Sequence, residues 1–442
     1  MTISRRAFLG GAAGAAAVGG GTWAALIREG IETATPAVSS TTTLASAATT
    51  TTAAVAQAAA TSGVADSVSD RVLVVLELAG GNDALNTLVP DAAGYHDARP
   101  LVGLTDSELV AMVGTDHRLH AALGGLVAFW EAGTMSAVAG VAIPEQSRSH
   151  FQAMDAWWSG SIGPSQTGWL GRWLDLSLDD ERNGVNDPLR AVALGGGSPA
   201  LVGTRTSATA IRNPADFNLR TQRGTDADAL IDAFLATSSP LVGDPTVAAA
   251  QQAIPGTLDA VALLATASSD DSGADARTPG SGRTVQELLT TAANIIDMGI
   301  GTRVFTVGVG GFDTHAAQRE KHDALLRDVG AGLETFFARL EASGHLDKVM
   351  VVTTSEFGRR VAENGSGGTD HGNGGLQFVF GPSVAGGIVH GGFDLDSLDR
   401  GDLPRVVDTR SVYRSGLEWL GGDGAGDGVF DDDPAELPLL SA

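Results

Sequence analysis

Apolar runs that end in short polar strings are the feature that most constrains the fold of this chain. Arg303-Val304-Phe305-Thr306-Val307 leads into Gly311-Phe312-Asp313-Thr314-His315, and Val349-Met350-Val351-Val352-Thr353 leads into Ser355-Glu356-Phe357-Gly358-Arg359. Short runs of β-branched and other apolar residues predict buried strands, as in a parallel sheet. Open α/β sheets keep their reactive groups at the carboxyl ends of such strands. The sequence therefore predicts carboxylate and imidazole groups along one sheet edge.

Two further strings have the same character. Gly80-Gly81-Asn82-Asp83 follows the apolar run 72–76, and Gly368-Thr369-Asp370-His371-Gly372 follows a glycine-rich loop that begins at Asn364. Any one of these strings alone is as well explained by a turn or a helix cap. Four strings at predicted strand ends favour one site assembled from four loops.

Strand-like and helix-like segments alternate from about residue 70 to the end, which predicts one α/β domain over 70–442 with a mainly parallel sheet. The predicted strands are 71–78, 135–142, 190–194, 302–309, 348–354 and 376–380. The predicted helices include 149–158, 169–178, 284–298, 317–343 and 409–420. The segment 202–282 differs, with polar loops, an Ala/Leu-rich stretch and a Ser/Asp/Gly tract. We interpret it as a helical insertion between strands, with a lid as one role.

The first residues have the layout of an export signal. Ser4-Arg5-Arg6-Ala7-Phe8-Leu9 precedes a weakly apolar, Gly/Ala-rich stretch, which predicts a twin-arginine signal over 1–32. A membrane-spanning helix is the weaker alternative, since glycine disfavours helix. Residues 33–69 are Ala, Thr and Ser-rich and predict a linker. We therefore expect recognition by the twin-arginine translocase, a periplasmic, cell-envelope or extracellular location, and membrane contact only through an uncleaved signal.

Composition excludes several functions. The chain contains no cysteine, so it has no disulfide, no thiolate ligand and no formylglycine made from Cys. Its formal net charge is −24, and such a surface repels nucleic acid and anionic lipid. An anionic substrate would need a local cationic focus, such as a bound metal or an arginine.

The polar strings offer enough ligands for one or two divalent ions. The candidate ligands are Asp83, Asp313, His315, Glu356, Asp370 and His371. Imidazole with carboxylate favours Zn²⁺ or Mn²⁺ over Mg²⁺ or Ca²⁺. Two such ions can bridge a phosphate or sulfate ester. The structural alternatives are that Asp313 or Thr314 caps the next helix, that Asn82-Asp83 forms a turn, and that Glu356 pairs with Arg359.

The candidate nucleophile is Ser149, at the start of a predicted helix, where the helix dipole favours an anion. The alternative is a capping box between Ser149 and Gln152. His150 is a candidate ligand or general acid, and Arg148 and Arg359 are candidates for holding substrate oxygens.

These polar strings, together with the export signal, Leu78-Ala79 before Gly80, Ser147-Arg148-Ser149-His150-Phe151 and Gln318, resemble the bacterial domain-of-unknown-function 1501 family. That family is similar to the alkaline phosphatase and sulfatase superfamily. The resemblance implies a three-layer α/β/α sandwich, alkaline-phosphatase-like, with two divalent ions at the carboxyl edge of the sheet.

Carried over by residue, the resemblance implies that Asp83 is the ligand after the first strand and that Ser149 lies near the nucleophile position. Asp313, His315 and His371 would bind one ion. Glu356 stands where the superfamily usually has an Asp-His pair, which is a departure, and the Asp313 to His315 spacing is also tighter than usual. The leading hypothesis is an exported metal-dependent hydrolase that takes an anionic phosphate or sulfate ester. The alternative is a non-catalytic cell-envelope binding or assembly protein that keeps this fold.

Overall fold

A nine-stranded sheet forms the centre of the described structure, a computed structural model that describes residues 70–179, 187–211, 227–236 and 283–441. These residues belong to one of the two units into which the chain divides, Ser62–Ala442. The predicted signal and linker, and most of the predicted insertion at 202–282, lie outside the described residues.

Strands and helices alternate along the chain. The strands are β1 (Val72–Leu78), β2 (Leu88–Pro90), β3 (Leu109–Ala111), β4 (His117–His120), β5 (Met135–Ala142), β6 (Ala191–Leu194), β7 (Thr209–Ile211), β8 (Val304–Val309), β9 (Val349–Thr354), β10 (Arg359–Glu363), β11 (Thr369–His371), β12 (Gly375–Phe380), β13 (Val389–Gly391) and β14 (Val407–Asp408). The α-helices are α1 (Ala84–Thr87), α2 (Ala93–Ala98), α3 (Val127–Glu131), α4 (His150–Ser159), α5 (Trp169–Leu176), α6 (Ala227–Ala236), α7 (Val285–Asp297), α8 (Gln318–Ser343) and α9 (Thr409–Gly421).

The central sheet has the order β13-β5-β12-β9-β1-β8-β6-β7, with β14 also paired to β5. β1 runs parallel to both of its neighbours, β8 and β9. β12 is antiparallel to β5 and to β9. The predicted α/β class with a mainly parallel sheet is therefore confirmed, and all six predicted strands are present.

Alternate residues of β1 show why the sheet is covered on both faces. Val72, Val74 and Leu76 pack into one core with apolar residues of α7 and α8. Leu73 and Val75 pack into a second core with residues of α5 and α9. Because successive side chains of a strand point to opposite faces, these two cores place helices on both sides. The three layers of an α/β/α sandwich result.

Helix α8 buries the apolar stripe that its sequence predicts. Leu326, Val329, Leu333, Phe336 and Leu340 are all buried in the first core. Burial of a stripe at this spacing fixes which face of the helix meets the sheet. The helix therefore packs against the sheet through this stripe.

Several short strands have no clear sequence signal. β2, β4 and β3 form a separate three-stranded sheet, and β10 pairs with β11. β7 pairs parallel to β6. The first residues of the predicted insertion therefore extend the main sheet.

Within the described ranges, no helix is long and apolar enough to cross a membrane.

A buried arginine ties the loop after β1 to strand β10. Arg99 donates to Asp83 Oδ2 at 2.7 Å and to Asn86 Oδ1 at 2.7 Å. It also donates to the carbonyl oxygens of Val361 and Arg360. The side chains of Arg99 and Asp83 are 0% and 1% exposed. Removing one partner of such a pair leaves the other charge buried without compensation.

We predict that Arg99→Met lowers the free energy of unfolding by about 3–5 kcal/mol, because the Asp83 carboxylate stays buried without its partner. Arg327→Met is the control. Its partner is Asp323 in an exposed pair on α8, with the arginine 65% exposed, and its loss should cost about 0.5 kcal/mol. Urea unfolding of both variants measures the difference. Equal losses would contradict the structural role of Arg99.

Candidate metal centre

The predicted site residues lie in three loops at the carboxyl edge of the sheet and at one helix start. Asp313 and His315 follow β8, and His371 ends β11. His150 is the first residue of α4, which follows β5. The parallel pairing of β8, β1 and β9 brings their carboxyl ends to one edge. Residues far apart in sequence therefore meet there.

Four side chains converge on one point, and we call them the His/Asp cluster: His150, Asp313, His315 and His371. Asp313 Oδ1 lies 3.0 Å from Nε2 of His315 and 3.0 Å from Nε2 of His371. Asp313 Oδ2 lies 3.5 Å from His150 Nε2. The Nε2 atoms of His315 and His371 are 2.8 Å apart. Candidate ligand atoms of His150, Asp313 and His371 all lie within 4.8 Å of one another.

The Nδ1 atom of each histidine in the cluster faces an acceptor. His150 Nδ1 lies 2.8 Å from Glu356 Oε1, and His371 Nδ1 lies 2.8 Å from the carbonyl oxygen of Arg148. His315 Nδ1 lies 3.2 Å from Asp370 Oδ1. Carbonyl and carboxylate oxygens only accept, so these contacts favour a proton on Nδ1 of each ring. The Nε2 atoms face the Asp313 carboxylate, where a second proton on a ring would form a hydrogen bond and a metal ion would take the place of that proton.

This donor set fits a divalent ion. Two Nε2 atoms 2.8 Å apart cannot both carry a proton, so at least one of them presents a lone pair beside the Asp313 carboxylate. Ligand atoms about 2.0–2.1 Å from a tetrahedral ion lie about 3.3 Å from each other. The spacings in the cluster are close to that value. Outer carboxylate and carbonyl partners on Nδ1 are also the usual support for metal-binding histidines.

Glu356 and Asp370, both predicted as ligands, lie behind the histidines. The buried Glu356 carboxylate accepts from His150 Nδ1 and from the Gly80 N–H, at 2.8 Å each. Asp370 is exposed and accepts from His315 and from Asn364 Nδ2. The proposed pairing of Glu356 with Arg359 is not the one observed, because His150 takes that place. In this arrangement both carboxylates orient imidazoles.

Asp83 has other partners. Its carboxylate accepts from Arg99, from Gln318 Nε2 and from the backbone N–H of Asn86, and it caps α1. Burial would raise the pKa of Asp83, but the Arg99 guanidinium and its hydrogen bond hold that pKa below the usual range. Its assignment as a metal ligand stays a prediction. These contacts are those of a structural carboxylate.

Arg359 is buried and fully engaged, with its side chain 0% exposed. It donates to Asp313 Oδ1 at 2.8 Å. Its other acceptors are the carbonyl oxygens of Gly80, Gly81, Phe312 and Thr369. Partial burial opposes ionisation of Asp313, but hydrogen bonds from Arg359 and His371 outweigh it and lower the pKa of Asp313 to about 2. Arg359 therefore positions Asp313, and the expectation that it faces substrate is not supported.

Ser149 occupies the cap position of α4, yet its hydroxyl makes no cap hydrogen bond. Gln152 Oε1 instead accepts from Ser147 Oγ at 2.8 Å. The capping-box alternative is therefore wrong, and the Ser149 side chain is exposed next to His150.

Arg148 is 39% exposed and pairs with the buried Asp402, while its carbonyl oxygen contacts Nδ1 of His371.

Two residues that support the site were not predicted from the sequence. Arg99 and Asp402 lie in segments without a motif, and no local signal identifies them. Gln318 belongs to the motif set, but the sequence assigns it no role. The structure places it between Asp83 and the hydroxyls of Thr314 and Thr369.

An α/β sandwich with a His/Asp cluster at the carboxyl edge of its sheet is the class that fold and site define. The profile of the family described as "Protein of unknown function (DUF1501)" matches residues 105–423, and the chain belongs to this family. The family resemblance read from the motifs is confirmed. A comparison with curated proteins finds no match.

Solved structures give remote likenesses. The lipoteichoic acid synthase LtaP from Listeria monocytogenes has 8% identity and a TM-score of 0.35, over 80% of this chain and 72% of that one. The PsFucS1 sulfatase from Pseudoalteromonas sp. has 12% identity and a TM-score of 0.34, over 85% and 71%. The alkaline phosphatase from the Antarctic bacterium TAB5 has 9% identity and a TM-score of 0.30, over 72% and 95%. Likenesses at this level establish no shared activity, and the fold class rests on the sheet itself.

We predict that Gly80→Ala is strongly destabilising. Gly80 has φ +122°, and a Cβ there would lie 2.3 Å from the backbone nitrogen of Asp313. Gly114→Ala is the matched control, because Gly114 also has a positive φ of +83° but nothing within 4 Å. Backbone strain alone should cost about 1–2 kcal/mol in the control. Urea unfolding should show a clearly larger loss for Gly80→Ala, and equal losses would show that the close approach to Asp313 is not required.

Proposed function

We propose that this chain is an exported metal-dependent hydrolase of phosphate or sulfate esters. The observation that carries the proposal is the convergence of three imidazole Nε2 atoms on the Asp313 carboxylate. The twin-arginine signal read from the sequence supports export to the periplasm, cell envelope or medium.

The cluster would hold one ion through His150, Asp313, His315 and His371. Three imidazoles and one carboxylate favour Zn²⁺ or Mn²⁺. When bound, the ion supplies a Lewis acid and a positive focus for an anionic ester, in a chain whose net charge is −24. Glu356, Asp370 and Asp83 are engaged with His150, His315 and Arg99, which supports one ion in this cluster rather than two.

Ser149 is the proposed nucleophile. Its hydroxyl is not used as a helix cap, and it lies at the amino end of the ten-residue helix α4, directly before His150. In the proposed reaction Ser149 Oγ bonds to phosphorus or sulfur, and the bond to the ester alcohol breaks. The hydroxyl proton of Ser149 passes to the departing alcohol, and water then cleaves the seryl ester, which releases phosphate or sulfate and restores the Ser149 hydroxyl. Arg148 is half-exposed beside this serine and would bind oxygens of the anionic substrate.

The first prediction from this proposal concerns metal content. Protein purified without chelator should hold about one equivalent of Zn or Mn by elemental analysis, since the cluster offers one set of four ligands. Asp313→Ala and His371→Ala should lose it. Asp323→Ala, which removes a carboxylate on α8 paired with Arg327, is the control and should retain it. Wild-type protein without a divalent metal would refute the proposal.

The second prediction concerns turnover. Ser149→Ala should lower the hydrolysis of aryl phosphate or aryl sulfate by at least about 100-fold, because the covalent step is lost. Metal content should be unchanged. Ser343→Ala is the control, since Ser343 is exposed at the end of α8 and its hydroxyl donates to the Leu340 carbonyl oxygen. If both serine variants kept wild-type rates, Ser149 would not be the nucleophile.

A different observation supports a second candidate function. Arg359, expected at the substrate, is buried and bound to backbone carbonyls. This favours a cell-envelope binding or assembly protein that keeps the ion without turnover. One equivalent of metal with no hydrolysis of phosphate or sulfate esters would select this function over the hydrolase.

A further inference from the structure

A glutamate sits near the end of an otherwise apolar central strand. Glu77 belongs to β1, whose other residues are Val and Leu. Its Oε1 accepts from Ser198 Oγ at 2.7 Å, and its Oε2 accepts from Trp158 Nε1 at 3.4 Å. Within the described residues, no arginine, lysine or histidine pairs with it. In a largely buried carboxyl group without a basic partner, a nearby cation stabilises the charge and a proton removes it.

The Glu77 side chain lines a cavity of about 30 Å³. Aromatic rings form much of its wall, from Trp157, Trp158, Trp169 and Tyr413. Glu77 and Trp158 keep some exposure, so solvent reaches it. A cavity needs only about 10–15 Å³ to hold one water molecule. This cavity therefore has room for a small polar group, such as an ammonium group, and its attached carbon.

The electrostatics around the cavity favour a cation. Burial raises the pKa of Glu77, and the neighbouring Glu356 carboxylate raises it further. A bound cation would relieve both effects. Indole and phenol faces also attract cations, most strongly where water is excluded. A primary ammonium adds three N–H donors that a carboxylate can accept.

We propose that this cavity binds the ammonium group of a primary amine, with Glu77 as its counter-anion and the aromatic rings around it. The site is distinct from the His/Asp cluster and does not depend on the hydrolase proposal. Glu356 borders both, since it lines the cavity while its carboxylate holds His150. A trimethylammonium group has no N–H to donate to the Glu77 carboxylate, so the site favours primary amines.

Titration with ethylammonium chloride at neutral pH, followed by tryptophan fluorescence and calorimetry, tests the proposal. Three of the seven tryptophans line the cavity, so occupancy should change the emission. Wild-type protein should give a saturable response that tetramethylammonium neither reproduces nor competes with. Glu77→Gln, which keeps the shape and removes the charge, should weaken binding at least 10-fold. Glu341→Gln, at an exposed position of α8, is the control and should bind as wild type does.

A second variant keeps the test decisive if Glu77→Gln fails to fold. Ala200→Leu places a larger side chain in the cavity wall while Glu77 remains, and should also abolish the response. Chelator is present throughout, so the result is independent of metal and of ester turnover. Absence of a saturable response in wild type, or an undiminished response in either cavity variant, would overturn the proposal and leave a protonated Glu77 beside a water.

Discussion

The Arg359 guanidinium is the interaction on which the rest of the site depends. It joins the loop after β1, the loop after β8 and strand β11 through the carbonyl oxygens of Gly80, Gly81, Phe312 and Thr369. The same group holds Asp313. An arginine offers five N–H donors in a fixed plane, which a lysine does not. Because buried carbonyls without a donor are costly, this one side chain fixes where these two loops and strand β11 lie.

The loops can approach Arg359 so closely because glycine lines their backbones. Gly80 lies against the backbone of Phe312 and Asp313, and Gly358 lies against the carbonyl of Gly374. The N–H of Gly80 is thereby directed at Glu356, which in turn holds His150. One chain of contacts thus runs from the end of β1 to the imidazole at the start of α4. The positions of the side chains in the His/Asp cluster therefore depend on how closely the loop backbones approach one another as much as on side-chain contacts.

The sequence allowed the strands, the layers and the site edge to be predicted, because apolar periodicity is a local signal. The apolar stripe of α8 and the apolar runs of β1, β8 and β9 each predict that their own residues are buried, as the structure shows. Which carboxylates face the centre could not be predicted. Asp83 pairs with Arg99, and Glu356 pairs with His150. No motif or residue spacing in the sequence indicates either pairing. The capping-box alternative for α4 is wrong because Ser147, a residue outside the capping motif, donates to the Gln152 side chain.

Charge balance defines what the His/Asp cluster and its outer carboxylates need at their centre. Asp313, Glu356 and Asp370 each contact a histidine, and Arg359 is the cation that contacts Asp313 without being able to lose its charge. With neutral rings, three carboxylates against one guanidinium leave two negative charges. Two protons would also balance the set, one on His150 and one shared between the Nε2 atoms of His315 and His371, which are 2.8 Å apart. A single ion of charge +2 would balance it with all three rings neutral and every Nδ1 proton still on its acceptor. The two arrangements differ in ring charge, so the proposed ion accounts for the outer acceptors without charging two of the three imidazoles.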